Sequence, residues 1–268
     1  MYTIATLYDI RQHLNLADDD NSSDDNLLKS LQQASHILES QTNRRYCPSE
    51  ESRIASIDIE HPKELMLPDD LLSLWSLTNG DGSAIDLDNV QTVPTHADLP
   101  ASILYLINGE SFTYTESPIN AVTITGTWGW HDRWTQAWRD SKDTVQDNPL
   151  SVDATTLTVS DADGVDDDGF SPRFQVGHLL QIEMEYIRVI AVDTATNQLT
   201  VQRGVNGTTA SSHVQTTAIE TYQPVSAVRD LCVRYAELLF NSIGVFHTDD
   251  DNDPFALPII QRLRRLTA

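Results

Sequence analysis

The string QRGVNGTTASSH (202–213) sets a guanidinium, an amide, hydroxyls and an imidazole around two glycines. Residues of these types could cradle a phosphate or hold a catalytic group. They could equally build a turn, because Asn206-Gly207 supplies cheaply the positive φ that a tight turn demands. On that second reading Arg203, Thr208 and His213 brace the loop by hydrogen bonds and perform no chemistry. DADGVDDDGF (161–170) invites comparison with a calcium loop. Asp161 and Asp163 fit the first ligand positions, but Val165 and Asp166 fall where the third ligand and the obligatory glycine belong. An acidic, solvated hairpin is the expectation. In HTDDDNDP (247–254) helix capping suffices to explain Asp253.

The eight histidines, at 13, 36, 61, 96, 131, 178, 213 and 247, show no helical metal-site spacing. No nucleophile elbow, phosphate loop or dinucleotide fingerprint is present. No catalytic, cofactor-binding or metal-ligating residue is therefore expected. Trp128, Trp130, Trp134 and Trp138 crowd one window. They could form an aromatic platform for a sugar or base, or a packing hub or subunit interface. With only Arg133 and Arg139 nearby, the interface reading is favoured. Cys47 and Cys232 stand too far apart in sequence for a disulfide framework, and each is expected to be a buried free thiol.

The formal net charge is −23, and 29 Asp outnumber 11 Glu while only three Lys accompany 14 Arg. Such acidity argues against gripping nucleic acid through its phosphates. It suits either concentrated salt, where self-repulsion is screened, or a surface that must not stick to DNA. Arg262, Arg264 and Arg265 form the basic exception, as a partner contact or as cations at a helix C-terminus. No apolar run approaches the ~18 residues a membrane helix needs, and the first residues lack a signal-peptide pattern.

These groups must be positioned by elements legible in the spacing. Leu7, Ile10 and Leu14 share a helical face behind Thr6 as cap, and Leu27, Leu31, Ala34 and Leu38 mark a second helix over 24–42. From 52 to 128 short runs rich in Ile, Thr, Tyr and Trp, punctuated by Asn-Gly and Asp-Gly, read as strands and hairpins. Residues 131–147 read as a short helix or irregular crossing. A small antiparallel barrel or sandwich is expected over 148–223, with a bulge or tight turn at Glu185-Tyr186, where the apolar phase slips by one. The strand after Asn206-Gly207 is expected to be TTAIETY. Helix returns from Pro224, along the stripe Val228, Leu231, Cys232, Tyr235, Leu238, Leu239 and Ser242, and again from Asp253-Pro254. The fold class is thus expected to be α+β: a helical bundle of N- and C-terminal helices with a β-hairpin region and an inserted small antiparallel β domain. The domains expected are 1–147, 148–223 and 224–268.

LYDIRQHLNLADDDNSSDDNLLKSLQQASHILESQTNRRY, VTITGTWGWH and PVSAVRDLCVRYAELLFNS, in that order, resemble the head–tail connector (adaptor) proteins of tailed bacteriophages and related tailed viruses. Within the insert, RGxNGTxxxxH resembles a β module of phage head–tail and tail proteins. Residues 50–120 match no pattern of that family. The resemblance implies a non-enzymatic virion protein of the neck, assembled in the host cytoplasm. It implies a homo-oligomeric ring, typically of twelve subunits, between the portal protein and a tail-completion (stopper) or tail-terminator protein. DNA would pass through the lumen without being gripped, no membrane would be involved, and Arg262, Arg264 and Arg265 become candidate portal contacts. The alternative is a tail- or baseplate-associated carbohydrate-binding module; a hydrolase is a third possibility with least in its favour.

Overall fold

The structure is a computed structural model that describes residues 3–17, 20–241 and 256–265. It corrects the expected fold class. Among the described residues the fold is mostly β, built on two antiparallel sheets of six strands each, and no helical bundle forms its frame. The physical reason lies in 44–136. Its strands close over an apolar core of their own, so they need no helical body to cover them. The chain separates into two compact units, one of residues 44–136 and one of 1–43 with 137–268.

In the 44–136 unit, β1 (Ser49–Ala55), β2 (Glu64–Thr78), β3 (Ala84–Ile85), β4 (Val90–Val93), β5 (Ala101–Leu106) and β6 (Val122–Trp128) form one sheet. Its order is β1-β6-β2-β5-β4, with β3 against the end of β2. The long β2 serves two partners. Leu65 faces Leu104 of β5, and from Leu71 onward the strand pairs with β6. Pro68 sits at the change, where it has no N–H to give a ladder. The carboxylates that follow are held by cations: Arg53 binds Asp69 at 2.6 Å and Arg44 binds Asp70 at 2.5 Å. Gly126 of β6 tolerates no side chain, since a Cβ there would lie 2.2 Å from the Ser73 carbonyl oxygen.

The other unit carries the helices and the second sheet. Thr6 and Asp9 form a reciprocal capping box on α1 (Leu7–His13). The second helix, α2 (Asp24–Thr42), has the bounds its spacing required and ends on Asn43 in the left-handed region. The sheet comprises β7 (Trp138–Thr144), β8 (Thr156–Thr158), β9 (Leu179–Ile182), β10 (Glu185–Asp193), β11 (Gln198–Gln202) and β12 (Ala218–Tyr222). Its order is β7-β12-β9-β10-β11-β8. Part of the segment expected to be helical or irregular is therefore strand β7, preceded by a short 3-10 turn at Trp134–Gln136. Leu157, Phe174, Leu180, Ile182, Ile187, Leu199 and Ile219 fill the core. Helix α3 (Ser226–Asn241) packs on α1 and α2 through Val228, Leu231, Cys232 and Ala236, while Leu238 is exposed. Helix α4 (Ala256–Leu263) packs on α2. Ser242, residues 247–254 and the expected start of the last helix at Asp253-Pro254 lie outside the described residues.

Candidate functional site

The sequence slip at Glu185-Tyr186 is resolved two residues earlier. Glu183 and Met184 form the tip of a hairpin, with Glu183 at φ 54° and Ile182 paired to Glu185. The tight turn sends β10 back along β9 and directs the Glu185 side chain into the interior, where it is fully buried. An ionised carboxylate at such a place must be surrounded by donors. Arg203 meets it with a two-pronged contact, Nε to Oε1 and Nη2 to Oε2, each at 2.7 Å. The backbone N–H groups of Gly204 and Ser211 donate at 2.9 and 3.0 Å, and His213 Nε2 lies 2.8 Å from Oε2. Burial alone would raise the Glu185 pKa. The Arg203 guanidinium, the Ser211 N–H, His213 and the Gly204 N–H outweigh it and hold the carboxyl below its ordinary value.

The remaining donors are consumed as well. Arg203 also reaches the carbonyls of Ser151 and Ser211, at 2.8 and 2.5 Å. His213 Nδ1 lies 2.8 Å from the half-exposed Glu183, and His213 bridges to Leu150 through its backbone. Thr208 Oγ1 donates to the Val205 carbonyl and accepts the Tyr186 N–H. Asn206 and Gly207 take φ values of 52° and 85° and form the turn closed by the Thr208 N–H on the Val205 carbonyl. That turn is not a hairpin between neighbouring strands, as had been expected. β11 pairs with β10 and β8, and the strand that follows the turn, β12, pairs with β7 and β9. The fifteen residues 203–217 instead fold over the sheet and are stitched to it through Glu185.

No protein-family model matches this chain. No curated protein is significantly similar to it.

The chemical capacity of the cluster follows from its saturation. A carboxylate that already meets five nitrogens from four residues has no lone pair directed at a substrate, and His213 is wholly buried. The arrangement is an anchor. Sequence reasoning singled out Arg203, Asn206, Gly207, Thr208 and His213, which the fold does bring together, but missed Glu185, around which they gather. An acid inside the apolar run LLQIEMEYIRVI was the available signal.

Two further buried carboxylates repeat the device. Asp143 accepts the N–H groups of Thr144, Ser160 and Asp161 and faces Arg173 at 3.3 Å. In the 161–170 loop, Asp166 turns inward to Arg139 at 2.7 Å and caps Asp168 and Phe170. Asp166, at the position where a calcium loop needs glycine, thus organises the loop from within. Among the described residues no group of three or more His, Cys, Asp or Glu side chains is placed to hold a metal ion.

The four tryptophans are divided between the two units. Trp128 is completely buried, donates to the Glu51 carbonyl and carries Arg53 over its ring. Trp130 packs edge-on against Tyr46 and under Arg44, and Trp134 donates to Ser73. Trp138 belongs to the other unit, stacked on Tyr186 and beside Tyr222. Trp130, Trp134 and Trp138 are half-buried, so none of the four offers an open platform. Arg262 and Arg264 are exposed at the end of α4, and the Arg265 N–H donates to the Thr42 carbonyl. Cys232 is buried, which pushes its thiol up to about 11, and Cys47 is half-buried; neither forms a disulfide.

Proposed function

We propose that this chain is a structural protein of a tailed-virus particle, a head–tail connector that joins a portal protein to the tail and lines part of the DNA channel. The observation that carries the reading is the state of the RGxNGTxxxxH string. Its arginine and histidine, the residues best suited to chemistry, are spent on a buried carboxylate that fixes a loop to a sheet. A module whose most reactive groups are internal braces serves as scaffold. The charge of −23 supports the same reading, because a lumen lined with carboxylates repels the phosphate backbone and lets DNA slide. Its partners are further copies of itself in a ring, the portal protein, and a tail-completion or tail-terminator protein.

The test is assembly. The purified full chain should form closed rings by sedimentation and imaging, and antibodies to it should decorate the neck of purified particles. A chain that stays monomeric at high concentration and is missing from particle necks overturns the proposal.

A further inference from the structure

Asparagine followed by glycine occurs three times, at 79–80, 108–109 and 206–207. The fold puts these pairs in three different environments. We infer that Asn108 is a site of spontaneous deamidation, and that the fold itself protects Asn79 and Asn206.

The chemistry needs no cofactor. The backbone nitrogen of Gly109 gives its proton to water or hydroxide and bonds to Cγ of Asn108. The Cγ–Nδ2 bond breaks, and ammonia leaves with the proton it needs, so a cyclic imide replaces the side-chain amide. Water then opens the ring at either carbonyl, giving aspartate at position 108 or a chain that runs through the side chain. Glycine favours the first step because it has no Cβ to crowd the attacking nitrogen. At Gly109 even an added Cβ would meet nothing within 4 Å, so the approach is open.

Asn108 and Gly109, at φ 58° and 87°, are the central residues of an exposed turn closed by the Glu110 N–H on the Ile107 carbonyl at 3.2 Å. The attacking nitrogen must rotate toward Cγ, so this turn has to open first. Little opposes that, since the side-chain tie to be broken, the Asn108 Nδ2 donation to Asn89 Oδ1, lies exposed on the surface where water can replace it. Among the described residues, no hydrogen bond engages the Gly109 N–H.

At 79–80 the opposite holds. Asn79 is buried, its Oδ1 accepts the N–H groups of Thr113 and Gly80, and the Gly80 N–H also donates to the Thr113 carbonyl. Both reacting groups are therefore already bonded. A turn like that of Asn108 surrounds Asn206, but it is tied down. Thr208 Oγ1 links the turn to Tyr186, and the Val205 N–H donates to the Tyr186 carbonyl. Opening it breaks contacts next to the Glu185 anchor.

The product matters to the surface. Deamidation replaces the Nδ2 donor to Asn89 with a carboxylate, and the side-chain-linked product inserts an extra atom into the turn that ends β5.

The experiment is peptide mapping of the intact chain during incubation at mildly alkaline pH, with a denatured sample alongside. In the folded chain the gain of about 1 Da should appear first at 108–109. It should run at least about tenfold faster there than at 79–80 or 206–207, the factor that a 1.4 kcal/mol difference in opening cost produces. In denaturant the three sites should react at similar rates, and Gly109→Ala should slow the first site in either state. Earlier or equal modification of Asn79 or Asn206 in the folded chain overturns the inference. So does an Asn108 that stays intact while the denatured chain reacts.

Discussion

Replacing Glu185 by alanine tests the anchor directly. In the native chain the carboxylate neutralises Arg203, whose side chain is only 6% exposed, and satisfies two backbone N–H groups and one imidazole nitrogen. Removing it strands a buried cation, and breaking a buried pair in this way costs about 3–5 kcal/mol. Gly204 and Ser211 also lose their acceptor, but water entering the vacated space offsets part of that loss, so the lower figure already counts as a large effect. Hydrogen exchange read by mass spectrometry measures the change locally. A loss of about 3 kcal/mol corresponds to roughly a hundredfold faster exchange through opening of β9, β10 and the 203–217 loop. Peptides from β1, β2 and β6 should keep their protection, because they belong to the other compact unit. Replacing Glu185 and Arg203 together by methionine should recover part of the loss, since the stranded charge goes with its partner. Exchange in β9–β10 that rises by less than about tenfold, or that rises equally in both units, refutes the reasoning.

Acid should weaken the same unit before the carboxylates titrate. Burial, then the charges of Arg139 and Arg188, lower the His178 pKa to about 3 from an ordinary 6.5. The unfolded chain therefore binds the extra proton between these values. Stability is full above pH 6.5, falls as pH drops, and loses at most about 2 kcal/mol by pH 5. Denaturant titrations at pH 7 and 5 check this, and His178→Asn, which keeps an acceptor for the Gln175 N–H, should flatten the difference. Gly126→Ala should destabilise the 44–136 unit by about 3 kcal/mol or more, seen as a lower urea midpoint, because the added carbon collides with the Ser73 carbonyl. The melting temperature should climb between low and molar salt as the screening length shrinks from ~10 Å to ~3 Å. A flat response would assign the acidity to repelling DNA alone.

Much of the local structure was legible in the sequence. Apolar spacing and end signals located α2, Thr6 as cap marked the start of α1, and short β-type runs between turn residues marked strands of both sheets, though not β7. These features are encoded within a few residues of one another, so a linear reading reaches them. The positive φ of Asn206 and Gly207 was legible for the same reason. What the sequence did not disclose is what pairs with what. β2 changes partner at Leu71, β7 joins β12 from the far side of the module, and the strand after the Asn-Gly turn avoids the strand before it. Long-range pairing and burial decided that the chain is mostly β, and they alone brought Glu185 to Arg203 and His213. Sequence determined which groups could serve as anchor, donor and turn. Only the tertiary structure, by removing a carboxylate from water and so obliging every nearby donor to turn toward it, decided that they form a brace.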